Sequence, residues 1–188
     1  MIWSHLSKNL SINRPSETRQ GFFGNASNAI IKNVGLENVD IISNEYTAGL
    51  LAGTGSNASI TNCYVTGKLK GRAYISGLAS NLRGTVEACY TNVSISVPTG
   101  SNGGLIGRFK GGSIKNSYSE GNMYGMHSGM SGGFIGEIDN AVVENCYSSV
   151  TSSSFYYGFA CEADSASTIL NSYVNNEKTS NTRPPVGS

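Results

Sequence analysis

The chain has 188 residues, of which 38% are hydrophobic and only 13% charged, with a formal net charge of +1. That length suits one domain, and the near-neutral balance excludes the basic stripe that nucleic-acid binding needs. No apolar run approaches the ~18 residues of a membrane span, which excludes insertion by a helix. Twenty-four glycines and only four prolines, among many Ser and Asn, resemble low complexity. A disordered chain, however, would lack the regularly placed Ile, Leu, Phe and Tyr seen here.

In chain order, the first segment is 1–20. It opens without an apolar h-region, so no signal peptide is visible. Leu10-Ser11-Ile12, followed by Arg14-Pro15, is expected to be the last strand of an incomplete coil. No amphipathic helix caps it. An uncapped end exposes unpaired backbone, which predicts a fragment of a longer array or a homo-oligomer joined at the N-terminal end.

From residue 21 to 175 the chain repeats itself. Six segments begin at Gly21, Gly49, Gly77, Gly104, Gly133 and Gly158, in steps of 28, 28, 27, 29 and 25 residues. A second anchor, at Ile31, Ile60, Val86, Ile114, Val143 and Ile169, stays in phase with the first. Within a unit, as in GGLIGRFK, Leu105, Gly107 and Phe109 are expected on one side of a strand and Ile106, Arg108 and Lys110 on the other. A second strand is predicted over Ser113–Tyr118, and a third, weaker one at places such as Val93-Ser94-Ile95 and Thr66–Leu69. No stretch has the i, i+3, i+4 spacing of a helix, and a propeller blade needs ~40 residues. The fold class is therefore all-β: a single-domain right-handed parallel β-helix of about six coils of ~28 residues, with three short strands each.

Stacked coils turn equivalent positions into columns. Phe22, Leu50, Leu78, Leu105, Phe134 and Phe159 form one interior column, and the Ile/Val anchors form another. An asparagine ladder is expected at Asn33, Asn62, Asn116, Asn145 and Asn171, broken by Ala88. Asn tolerates the left-handed backbone of a sharp corner and can hydrogen-bond along a ladder. A tyrosine ladder follows at Tyr64, Tyr90, Tyr118, Tyr147 and Tyr173, with corner packing favoured over sugar stacking. Cys63, Cys89 and Cys146 share a slot that Val34, Ser117 and Ser172 fill elsewhere, which favours buried free thiols over a Cys63–Cys89 disulfide. The polar tail, 176–188, reads as a cap or trailing end, with Gly187-Ser188 a vector remnant.

Chemistry-bearing residues are few. Glu137 and Asp139 on the fifth coil align with Glu162 and Asp164 on the sixth, while Arg108 and Lys110 hold the same slots on the fourth. Four carboxylates on one face admit three readings. They form a solvated face partly neutralised by Arg108 and Lys110, a Ca²⁺ site, or a glycosidase acid/nucleophile pair. Phe155, Tyr156 and Tyr157 precede the sixth coil as a candidate contact loop. His5 and His127 are the only histidines, so neither a metal site nor a Ser or Cys triad is indicated.

GGLIG at 103–107 and GGFIG at 132–136, followed by IKNSY and VENCY, resemble the GLUG motif, as does GFFGNASNAIIKNVGLENVDI from Gly21. The resemblance covers roughly Asn13 to Asn175. It is closest in the fourth and fifth coils; Ala52, Ser80 and Cys161 replace the closing glycine in the second, third and sixth. GLUG repeats occur in large bacterial surface proteins, including adhesin-like proteins and IgA-cleaving metallopeptidases. The resemblance implies a β-helical stalk or adhesive array at the cell surface and no catalytic residue, since the zinc chemistry of such peptidases lies elsewhere and no HExxH occurs here. The expected function is a non-enzymatic structural or adhesive module that binds a glycan or protein surface. The rivals are a carbohydrate-active β-helix using the acidic face and an assembly module.

Overall fold

The structure, a computed structural model, describes residues 5–125, 131–152, 156–175 and 182–183. It is a parallel β-solenoid of three sheets, with every ladder pairing one coil to the next. Sheet A stacks Val34–Ile42, Tyr64–Lys70, Tyr90–Ser96, Tyr118–Tyr124, Tyr147–Ser152 and Tyr173–Val174, and His5–Lys8 and Ser11–Asn13 pair along its first edge. Sheet B holds the longest strands, including Leu51–Thr61, Ala79–Glu87 and Ile106–Lys115. Sheet C is a stack of short strands: Glu45–Ala48, Ala73–Ser76, Asn102–Gly103, Ser131–Gly132, Tyr156–Tyr157 and Thr182–Arg183.

Two kinds of corner shape each coil. After sheet B the chain turns at the asparagine ladder, where Asn33, Asn62, Ala88, Asn116, Asn145 and Asn171 all take positive φ between 45° and 58°. L-residues pay a steric cost in this region that asparagine bears best. The predicted second strand is thus divided: Ser113–Lys115 finishes sheet B, Asn116 turns, and Tyr118 opens sheet A. The strand expected to be weak is the well-paired sheet A strand. The sheet C strand, which precedes the repeat glycine, is only two to four residues long, too short for alternation to reveal it.

The second corner lies between sheets C and B, at Gly49, Gly77, Gly104 and Gly133. A Cβ on Gly104 would land on the Gly133 carbonyl oxygen and within 2.9 Å of Ser119 Cβ, so the coils can close only around glycine. The bend also reverses the side-chain phase. Ile106, expected on the outside, is fully buried beside Leu105, and Leu51, Ala79, Ile135 and Ala160 share its column.

The core lies between the sheets. Leu50, Leu78, Leu105 and Phe134 are fully buried, Phe159 nearly so, and Phe134 stacks on Phe159 at 4.8 Å. Phe22 departs from its predicted interior place: it is 42% exposed because it stands on the outermost row. Ile31, Ile60, Val86, Ile114 and Val143 are buried in strict register. Among the buried polar groups, Thr91 Oγ1 and Ser119 Oγ each donate across the interior, at 2.8 Å, to the corner carbonyls of Gly104 and Gly133. The Gly104 carbonyl thereby accepts twice, since the Gly77 N–H also donates to it at 3.0 Å.

Candidate functional site

The carboxylate face is built on the outside of sheet B, where register brings Arg108, Glu137 and Glu162 into one row. The Gly corner sets strand Ile135–Ile138 against the end of sheet C, and Glu137 is drawn inward to 7% exposure. Its carboxylate accepts hydrogen bonds from the Ser101 hydroxyl, from Arg108 Nε at 2.8 Å and from Lys110 Nζ at 3.3 Å. Lys110 also pairs with Asp139. Burial works to raise the Glu137 carboxyl, but the Ser101 and Arg108 hydrogen bonds, with the charges of Arg108 and Lys110, outweigh it and hold the group below the usual carboxylate range.

Glu162 and Asp164 are exposed on the next row. Asp164 accepts from the Asn140 N–H and the Ser167 hydroxyl, which depress its pKa and make it a turn cap. Among the described residues, no three His, Cys, Asp or Glu side chains converge where a cation could sit. The face therefore joins two carboxylates bound to the previous coil's cations to two that face solvent. Its buried carboxyl, Glu137, is held below the ordinary range and not raised toward the value a general acid needs.

An aromatic column on sheet C adjoins this face. Tyr46 and Tyr74 stack at 4.7 Å; the Arg19 guanidinium lies 5.4 Å from the Tyr46 centroid and that of Arg108 lies 5.5 Å from Tyr74. Both tyrosines take positive φ, 55° and 56°. One coil later the column position is Ser101, and the room vacated by a ring is where Arg108 meets Glu137. Sequence reasoning missed Ser101, Tyr46 and Tyr74. The signal was the 28-residue spacing of the two tyrosines, equal to the repeat but outside the two anchors used to set it.

Asn62 Nδ2 donates to Asn33 Oδ1 at 2.7 Å, and Asn145 Nδ2 to Asn116 Oδ1 at 3.4 Å. Tyr64, Tyr90 and Tyr118 stack at 4.9 and 5.0 Å, Tyr147 tilts at 6.1 Å, and Tyr173 ends the column 67% exposed. Each enclosed ring's faces are covered by its neighbours. Tyr64 also donates to Glu37 at 2.7 Å, and burial, with that bond, raises its pKa. Cys63, Cys89 and Cys146 are buried free thiols; burial pushes Cys89 up and Cys146 up to about 11. Of the candidate contact loop, Phe155 lies outside the described residues. The Tyr156–Tyr157 backbone pairs between Ser131–Gly132 and Thr182–Arg183 in sheet C.

A family model described as the GLUG motif matches residues 44–70 and 127–153. The first match runs from the end of one sheet A strand through a Gly corner to the next, so the motif spans one turn of the solenoid. No curated protein matches the chain. Among solved structures, the chain is similar to a Bacteroides ovatus protein described as a candidate immunoglobulin A1 protease, with a TM-score of 0.71 and 25% identity over 90% of this chain. The match covers 57% of that protein, so this chain spans little more than half its length.

Proposed function

We propose that this GLUG-repeat β-solenoid is a non-enzymatic structural or adhesive module of a bacterial surface protein, presenting a lateral face to a glycan or protein partner. The observation that carries the reading is the state of Glu137. The one buried carboxylate of the acidic face is tied to Arg108, Lys110 and Ser101 and held ionised. Its in-register neighbour Glu162 stands in solvent. A retaining glycosidase needs one carboxyl raised to act as acid and another free to attack; here the enclosed carboxyl is neither. The protease description belongs to the structural neighbour, and this chain has no HExxH sequence to carry zinc hydrolysis. Asp139, Glu162, Asp164 and Tyr157 are the residues offered to a lateral ligand, with Ca²⁺ a bridging ion only if binding requires it.

The test is a glycan array probed with the purified protein with and without Ca²⁺, with parallel incubation of the same glycans and of immunoglobulin A followed by mass analysis. The account expects every glycan and immunoglobulin chain to keep its mass, and any retained glycan to weaken on Glu162→Gln. Cleavage products that disappear in Glu162→Gln would overturn the reading in favour of a hydrolase.

A further inference from the structure

The carboxylate face lies on sheet B; the outer side of sheet A carries a run of cations. Where one coil leaves sheet A and turns toward sheet C, the chain reads Lys68-Leu69-Lys70-Gly71-Arg72-Ala73. Alternation turns Leu69 and Ala73 inward, where both are buried, and sends Lys68, Lys70 and Arg72 outward. Both lysines are exposed, and the Arg72 side chain is 68% exposed. Alternate residues of a strand stand about 7 Å apart, so the three charges span about 13 Å.

Other lysines are engaged. Lys8, Lys110 and Lys115 each pair with an acid on the adjacent coil, respectively Glu37, Asp139 and Glu144. Among the described residues neither Lys68 nor Lys70 enters an ion pair, although Asp40 stands beside Lys68 in register. Arg72 reaches Glu45 only at 3.8 Å, a loose surface pair of the kind that contributes little. The neighbouring coils add groups of another kind. Ser94 follows Lys68 in register, Ser96 follows Lys70, and Tyr124 follows Ser96. Both serines are half-buried, and Tyr124 is 43% exposed. The patch is cationic on one strand, hydroxylated on the next and aromatic on the third, over about 10 Å of the rod axis.

We infer that this patch binds a linear acidic polysaccharide. Its carboxylate or sulfate groups meet Lys68, Lys70 and Arg72, and its hydroxyls and a ring face meet Ser94, Ser96 and Tyr124. The ammonium and guanidinium groups supply charge-assisted hydrogen bonds. Three of them in a row favour a polymer that carries acids at intervals over a single anion. The serines and the tyrosine, with its apolar ring and polar tip, favour a sugar over a chain of phosphates alone. The chain as a whole is close to neutral, so the patch is a local feature of one coil and its neighbours. A polyanion held here does not depend on Glu162, so this site and the one proposed on sheet B can fail separately.

The test is retention of the intact chain on immobilised polygalacturonate, dextran sulfate, uncharged dextran and single-stranded DNA. At least one of the two acidic polysaccharides should hold the chain at low salt and release it at about 1 M, where the screening length falls to about 3 Å. Which one does so separates carboxylate from sulfate, and uncharged dextran should retain nothing. Lys70→Gln should weaken the binding about tenfold, the loss of one charge-assisted contact. Lys32→Gln removes the same charge from an exposed position on sheet B and should change it by less than about twofold. Tyr124→Ala should also weaken it. Failure to bind either acidic polysaccharide, equal losses in Lys70→Gln and Lys32→Gln, no loss in Tyr124→Ala, or equal retention on single-stranded DNA would each overturn the inference.

Discussion

Each corner after sheet B places one residue at φ near +50°, and Asn62 and Asn145 reach back from there to the amide of the coil before. Asn62 donates to Asn33, but its own Oδ1 is buried with no partner because coil three has Ala88, which takes the same backbone at φ 53° with no amide to give. Ala88→Asn should satisfy that oxygen and relieve the strain together. The expected gain is about 1–2 kcal/mol, or about 2–8 °C in Tm by calorimetry; a loss of stability would contradict the ladder. Glu137 gives a second prediction. Its folded pKa is depressed, so its contribution is complete above the unfolded value of about 4.3 and disappears as pH falls through the lower folded value. Glu137→Gln should cost roughly 1–3 kcal/mol at pH 7, less than for a fully buried pair because Arg108 and Lys110 are each about one-third exposed. Urea titrations of wild type and variant at pH 7 and pH 3 should show the difference shrinking in acid; a constant difference would mean that the carboxylate's charge is not what matters.

At the scale of strands and corners, the glycine after sheet C and the Ile/Val of sheet B do different work. Gly104→Ala puts a methyl group on the next coil's carbonyl oxygen and against Ser119, and should cost about 3 kcal/mol or more by chemical denaturation. Ile114→Ala, in a fully buried column, should cost about 2–5 kcal/mol, and Ile114→Asp should abolish folding. A soluble, stable Ile114→Asp would remove the column from the core. These columns were legible because a solenoid writes each contact as a repeat: every equivalent residue meets its own equivalents, so register in sequence is register in space. The strand boundaries were less legible. Asn116 divides what alternation presents as one strand, and the bend at Gly104-Leu105 turns Ile106 inward, an effect of corner geometry that period two does not encode. Ser101 was illegible for a similar reason: its partner Glu137 lies 36 residues away and one coil on, outside the neighbour-to-neighbour column rule.

The whole molecule is a stack whose stability is a sum of interfaces between adjacent coils. Its interior is mainly apolar, with Thr91 and Ser119 hydrogen-bonded inside it. The central claim is that successive coils superpose residue on residue at the spacing of a parallel ladder. Asp40, Lys68, Ser94, Asn122 and Thr151 are consecutive steps of one row on the outer side of sheet A. Spin labels at Asp40→Cys and Thr151→Cys, with the native thiols Cys63, Cys89, Cys146 and Cys161 protected by burial, give the most direct measurement. Four steps of about 4.8 Å predict a narrow backbone separation of about 19 Å, widened only by the label tethers. A broad distribution, or a mean beyond about 30 Å, would contradict the stacked solenoid, since four ladder steps cannot reach it.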